Sequence, residues 1–113
     1  MTCTITREEL LKRLGMTSRP VLIEALPESH FRGGHLPGAL HMPQDSVRDR
    51  APIVVPDRAT EVVVYCASAT CRNSHIAAAT LESLGYRNVS IYTGGKEDWQ
   101  AAGLPLESGD PLR

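Results

Sequence analysis

The strongest constraint on the fold is the run Val62-Val63-Val64-Tyr65, in which no position carries a charged or strongly polar side chain. A strand with one face in water alternates apolar and polar residues, whereas an uninterrupted run is typical of a strand covered on both faces in a parallel sheet. A loop of small residues follows, and then a helical pattern from Arg72 to Leu84 that Gly85 ends. This strand–loop–helix order predicts an α/β domain.

Weaker elements of the same kinds lie on both sides of this unit. Short apolar runs predict further strands, and a capping box at Thr6 and Glu9 predicts the start of a helix. Alternating strands and helices indicate a three-layer α/β fold, with a central, mainly parallel sheet of four or five strands and helices on both faces. The predicted strands are 21–23, 40–42 and 89–92, the predicted helices are 7–14, 27–31 and 95–102, and residues 44–51 are an ambiguous, polar helical segment.

Length and composition narrow the functional classes. The 113 residues fit one domain, predicted to span 1–113 with a loose Pro/Gly-rich tail at 104–113. A net charge of −1 argues against a nucleic-acid partner, and the lack of a long apolar run argues against a membrane span. The first residues lack the features of a secretory signal, and three cysteines are too few for a disulfide framework. We therefore expect free thiols and a cytoplasmic protein.

The loop after Tyr65 is the expected place for chemistry, because ligands bind beyond the carboxyl ends of the strands in open α/β sheets. Its first residue is Cys66. Backbone N–H groups that converge in such a loop, together with the dipole of the following helix, favour an anion and lower the pKa of a thiol. Arg72 adds a positive charge. We expect Cys66 to be a nucleophile rather than a packing cysteine.

Four sequence patterns, in order along nearly the whole chain, resemble the rhodanese homology domain. The first is a buried strand that ends in an acidic residue, the second a G-H-[IL]-P-G-A loop, the third a strand that delivers a cysteine, and the fourth an L-G-[FY]…V…G-G-x-x-x-W ending. In this sequence they are Val21-Leu22-Ile23-Glu24, Gly34-His35-Leu36-Pro37-Gly38-Ala39, Val63-Val64-Tyr65-Cys66, and Leu84-Gly85-Tyr86 with Val89, Gly94, Gly95 and Trp99.

The resemblance implies a sulfurtransferase that needs no cofactor and no metal. Cys66 would carry sulfane sulfur as a persulfide, taken from a small anion such as thiosulfate and passed to a thiophilic acceptor, for which a protein thiol or a small-molecule thiol is the candidate. The dianionic donor and the anionic persulfide both suit a loop with inward N–H groups. The predicted anion-binding loop comprises Ala67, Ser68, Ala69, Thr70, Cys71 and Arg72.

Three positions depart from the common pattern of that family. Leu26 stands where an arginine is usual, which removes a polar partner near the site. Ala69 replaces a loop glycine, and this makes a left-handed backbone less favourable there. Cys71 gives the loop a C-x4-C pattern typical of a subgroup.

Cys71 has two interpretations that the sequence leaves open. It lies where the helix begins, so it is a candidate second thiol that attacks a persulfide on Cys66 and forms a disulfide. A disulfide requires Cα atoms within ~7 Å, and a loop that turns its N–H groups inward tends to turn its side chains outward. The alternative is a small packing residue.

Other functions also remain open. Cys66-x5-Arg72 is the spacing of cysteine-dependent phosphatases and of some arsenate reductases, although those enzymes usually have histidine where Tyr65 stands. A non-catalytic or redox regulatory module is a further alternative. Zinc at Cys66, Cys71 and His75 is disfavoured for lack of a fourth ligand. His35 is interpreted as a bridge between two loop backbones.

Overall fold

The structure is a computed structural model that describes residues 3–17, 19–68 and 70–108. Its elements alternate along the chain, as the apolar runs predict. The strands are β1 (Cys3–Ile5), β2 (Val21–Glu24), β3 (Leu40–His41), β4 (Glu61–Tyr65) and β5 (Asn88–Tyr92), and the helices are α1 (Arg7–Leu14), α2 (Glu28–Gly33), α3 (Val47–Val54), α4 (Asn73–Ser83) and α5 (Gly95–Ala101).

The strands form one parallel sheet in the order β1-β5-β4-β2-β3. The apolar strand β4 is central, and its Val63 lies between Leu22 of β2 and Ser90 of β5. The predicted α/β class and parallel sheet are thus confirmed. The edge strand β1 was not predicted, because its three residues show no apolar run; Cys3 pairs with Ser90.

Successive residues of β4 from Val62 to Tyr65 enter two separate apolar cores, which is why this run carries no charged residue. Val62 and Val64 pack on the face that α3 and α4 cover. Val63 and Tyr65 pack on the opposite face, with Leu10 of α1 and Trp99 of α5. The chain is therefore a three-layer α/β/α domain.

The helix boundaries follow local signals. Thr6 caps α1 by accepting a 3.2 Å hydrogen bond from the Glu9 amide, as the capping box predicts. Gly85 follows α4 with φ of +99°, a conformation that favours glycine. The ambiguous segment 44–51 forms a helix only from Val47, and α3 continues through Pro52 to Val54.

The predicted loose tail is wrong for its first residues. Glu107 pairs with His35 through two backbone hydrogen bonds of 2.8 Å, and the Trp99 indole donates to the carbonyl of Pro105. Leu104 and Leu106 pack against the core. Residues 109–113 lie outside the described residues. Within the described ranges, no helix is long and apolar enough to cross a membrane.

Candidate active site

Cys66 occupies the carboxyl end of the central strand. Tyr65 is the last residue of β4, and the loop that begins with Cys66 leads into α4, the longest described helix. Only 2% of the Cys66 surface is exposed. The thiol is therefore held at the junction of strand and helix, at the edge of the sheet where the sequence predicts the site.

Ser74, in the first turn of α4, is the polar partner of this thiol. The Cys66 thiol donates a 3.4 Å hydrogen bond to the Ser74 hydroxyl, and Ser74 is itself 2% exposed. When the thiol ionises, the hydroxyl and the backbone N–H of Ser74 both stabilise the thiolate and lower its pKa. Ser74 thus supplies the stabilisation that was expected from the loop.

Burial outweighs this stabilisation in the free protein. Loss of solvent around the sulfur, followed by the neighbouring Cys71 side chain, raises the pKa of the Cys66 thiol above its ordinary value. The expectation of a lowered pKa is therefore wrong for this conformation. Sequence reasoning anticipated the favourable N–H groups but not how far β4 and α4 would enclose the sulfur.

Among the described residues of the loop and the start of α4, the N–H groups of Cys71 and Ser74 have different partners. The Ser74 amide lowers the pKa of the Cys66 thiol, whereas the Cys71 amide donates a 3.1 Å hydrogen bond to the Ser68 carbonyl and closes a turn. Of the other predicted loop residues, Ala67 and Ser68 are half-buried, Thr70 and Arg72 are exposed, and Ala69 lies outside the described residues. Arg72 is the residue that caps α4.

The start of α5 holds the loop from the other side. The backbone N–H groups of Lys96 and Glu97 donate hydrogen bonds to the carbonyls of Cys66 (3.1 Å) and Ala67 (2.9 Å). Gly95 adopts φ of +63° and packs directly against the Cys66 carbonyl, so that a side chain there would overlap it. The position of the nucleophile thus depends on α5 as well as on β4 and α4.

A buried polar network lies beneath this contact. Glu24, the last residue of β2, is fully buried, and its carboxylate accepts a 2.7 Å hydrogen bond from the Tyr65 hydroxyl. Its other oxygen lies 3.0 Å from the Lys96 ammonium, which also donates to the His30 carbonyl at 2.7 Å. The network connects β2, β4 and α5 behind Cys66.

Tyr65 has a structural role in this network. Its hydroxyl also accepts a 3.0 Å hydrogen bond from the Leu36 amide. Burial, and then the Glu24 carboxylate, raise the pKa of Tyr65 far above its ordinary value, so the hydroxyl stays protonated as a donor. Leu26, at the position of the missing arginine, is buried as a core residue.

The side chain of Cys71, for which the sequence left two interpretations open, interacts with that of Cys66. The Cys71 side chain interacts with the Cys66 thiol and, after burial, contributes to raising its pKa. Both cysteines are free thiols, Cys66 buried and Cys71 half-buried. The loop therefore brings two thiols together.

His35 has the bridging role predicted for it. Its ring nitrogen Nδ1 lies 2.9 Å from the Phe31 carbonyl, its backbone pairs with Glu107, and its ring stacks on that of Phe31. These contacts hold the loop of residues 34–39 to Phe31 and to Glu107. They give His35 a structural function.

Two clefts differ in their relation to the thiol. A cleft of about 260 Å³ opens at the edge of the sheet that carries Cys66, between Ala25, after β2, and Asn73, the first residue of α4. A larger cleft of about 560 Å³, which includes Arg13 and Arg87, opens at the amino ends of the strands. This cleft is thus at the end of the sheet opposite Cys66 and takes no part in the chemistry of the thiol.

The supporting residues of the site were not identified from the sequence. Ser74 and Lys96 read as ordinary helix residues, and Glu24 was noted only as an acidic strand end. Glu24 and Gly95 carried a signal only as parts of family patterns. A buried carboxylate beside a tyrosine of the adjacent strand requires a cation, and such a pairing is visible only once the strands are aligned.

The chain is similar to known proteins in both sequence and structure. The sequence pattern of the family described as Rhodanese-like domain matches residues 6–102. A thiosulfate sulfurtransferase, GlpE, of Actinobacillus succinogenes is 33% identical over 92 residues, which are 81% of this chain and 79% of that protein. A solved structure of a rhodanese with anions from E. coli aligns with a TM-score of 0.68 and 29% identity, over 80% of this chain and 99% of that one.

A longer relative shows the same similarity within a larger protein. The HTH-type transcriptional regulator Rv0324 of Mycobacterium tuberculosis is 33% identical over 108 residues, which are 96% of this chain. The chain spans only 46% of the length of that regulator. None of these three proteins is named as a phosphatase or an arsenate reductase, so they do not favour that alternative.

Proposed function

Since this chain belongs to the rhodanese-like domain family, we propose that it is a sulfurtransferase in which Cys66 carries sulfane sulfur from a thiosulfate-type donor to a thiophilic acceptor. The observation that carries the proposal is the position of the Cys66 sulfur, between the end of the central strand and the Ser74 hydroxyl and amide. The names of the A. succinogenes and E. coli relatives support the reaction class.

The proposed first half-reaction is a displacement at the outer sulfur of thiosulfate. The Cys66 thiolate attacks that sulfur, a sulfur–sulfur bond forms, and sulfite leaves with the electron pair of the broken bond. The product is a persulfide on Cys66, and no external oxidant or reductant is needed. The raised pKa of Cys66 means that a proton must first leave the thiol, and Ser74 offers the hydrogen bonds that favour this ionisation.

Donor binding is proposed to use the mouth of the loop. The amino end of α4 favours an anion, and Arg72 is exposed beside it. The predicted loop residues 67–72, including Ala69, remain candidates for contact with the donor. The acceptor is proposed to be a protein or small-molecule thiol, in keeping with the cytoplasmic setting expected from the free cysteines.

Turnover with alternative substrates tests this function. Purified protein is given thiosulfate with cyanide as the acceptor, and thiocyanate is measured; parallel reactions contain a chromogenic phosphate ester, or arsenate with glutathione. We expect thiocyanate from the wild type and none from Cys66→Ser. Turnover of the phosphate ester or arsenate in place of thiosulfate would support the phosphatase-like alternative.

A further inference from the structure

The thiol of Cys71 neither forms nor breaks a bond in the half-reaction proposed above. Cys71 is half-buried, whereas Cys66 is closed off at 2% exposure. In the described part of the chain, the residues of the two apolar cores do not include Cys71. The packing interpretation therefore leaves its position beside the nucleophile unexplained.

The loop geometry returns Cys71 to the sulfur of Cys66. The Cys71 amide donates to the Ser68 carbonyl, which folds the chain back on itself just before Arg72 caps α4. The Cys71 side chain is consequently close enough to the Cys66 thiol to interact with it and raise its pKa. This contact is between the two thiols that a disulfide would link.

From this contact, and resting on the proposed sulfurtransferase function, we propose that Cys71 is a resolving thiol that releases the sulfur of the Cys66 persulfide as hydrosulfide. The Cys71 thiolate attacks the inner sulfur, Sγ of Cys66. The Cys66–Cys71 disulfide bond forms, the bond to the outer sulfur breaks, and that sulfur leaves with the electron pair as HS⁻. Hydrosulfide is a weaker base than a cysteine thiolate, and less basic thiolates leave faster in such exchanges.

The overall balance requires a partner of defined chemistry. Thiosulfate and the two thiols give sulfite, hydrogen sulfide and one disulfide, so the two electrons come from Cys66 and Cys71. A dithiol reductant, a protein or small molecule with two adjacent thiols, then reopens the disulfide and becomes oxidised itself. The half-buried sulfur of Cys71 is the accessible point for its attack. The protein would thus couple thiosulfate to a dithiol and produce sulfide.

The lifetime of the persulfide tests this proposal. A Cys3→Ser parent removes the exposed third thiol, and Cys71→Ser and Cys66→Ser are made in it. Each protein is loaded with thiosulfate and desalted, and its intact mass and the released sulfide are followed. We expect the parent to lose its sulfur, release one equivalent of sulfide and end two hydrogens lighter than the free protein. The Cys71→Ser variant should keep its persulfide about tenfold longer or more, because it lacks the tethered thiol.

Three outcomes distinguish failure of this proposal from failure of the proposed sulfurtransferase function. Equal persulfide lifetimes in the parent and Cys71→Ser would overturn the resolving role while leaving the sulfurtransferase intact. Sulfur that moves to Cys71 in a peptide map, without sulfide release, would also overturn it, since the outer sulfur would then be the one attacked. Absence of sulfur uptake in both proteins would overturn the sulfurtransferase function itself.

Mild oxidation gives a reading that does not depend on thiosulfate. One equivalent of diamide should produce a Cys66–Cys71 disulfide in the parent, seen in a peptide map, and dithiothreitol should reverse it. If the oxidised parent contains only free thiols or intermolecular disulfides, the two sulfurs do not reach bonding distance and the proposal fails.

Discussion

Gly95 lies so close to the carbonyl oxygen of Cys66 that a side chain at this position would overlap it. The contact places the start of α5 against the backbone of the nucleophile, and the Lys96 and Glu97 amides then hold the carbonyls of Cys66 and Ala67. The geometry of the loop is thus set in part by residues about thirty positions away in the chain.

Gly95→Ala should destabilise the protein and also slow the loading of sulfur. The positive φ alone costs about 1–2 kcal/mol for a residue with a Cβ, and the overlap adds to it by moving the Cys66 carbonyl. Gly103→Ala is the matched control, because Gly103 also has positive φ but no atom within 4 Å of an added Cβ. Urea unfolding and the rate of persulfide formation are measured. Equal effects of the two substitutions on loading would show that the contact does not position Cys66.

The Glu24–Lys96 pair should be essential as a pair. Lys96→Met leaves a fully buried carboxylate without its cation, which destabilises such sites by about 3–5 kcal/mol. Adding Glu24→Gln removes the charge and should restore a large part of that loss in urea unfolding. Lys12→Met, at an exposed position of α1, is the control and should change stability little. No recovery in the double variant would mean that Lys96 acts through packing rather than charge.

Reaction of Cys66 with iodoacetamide should rise with pH through a midpoint above the ~8.5 of a free thiol, because burial raises its pKa. Because the pKa of Cys66 is higher in the folded state than in the unfolded chain, the folded state keeps the proton to higher pH. Cys66 therefore contributes stability that is lost as the pH rises above the ordinary pKa of a thiol. Ser74→Ala should move the midpoint further up, while Ser83→Ala, at an exposed site late in α4, should not.

Peptide mapping of the labelled protein separates Cys66 from Cys3 and Cys71 in this titration. A midpoint below that of a free thiol would restore the original expectation, with the helix and loop N–H groups dominating over burial.

The sequence was most informative where a short local pattern of residues predicted a strand or the end of a helix. The apolar run of β4 predicted a doubly covered strand, the Thr6–Glu9 pair predicted the start of α1, and Gly85 predicted the end of α4. Each of these signals depends only on neighbours along the chain. The fold class followed from them.

The sequence was least informative where distant segments meet. The sign of the Cys66 pKa shift depends on how closely β4 and α4 enclose the sulfur, and the function of Glu24 depends on Lys96 in another helix. The position of Cys71 depends on a turn in which the Cys71 amide donates a hydrogen bond to the Ser68 carbonyl. Prediction of the pairing between Glu107 and His35 likewise required the fold, because no sequence pattern around Glu107 indicates a partner.

Sulfur uptake by Cys66 is the most direct test of the account. Wild type and Cys66→Ser are incubated with thiosulfate in the absence of an acceptor, desalted at once and measured by intact mass spectrometry with peptide mapping. We expect a gain of one sulfur atom on the wild type, located on Cys66 at the earliest times, and no gain on the variant. An unchanged wild-type mass, without sulfite or sulfide release, would contradict the role of Cys66 as the sulfur carrier, as would equal sulfur uptake by Cys66→Ser.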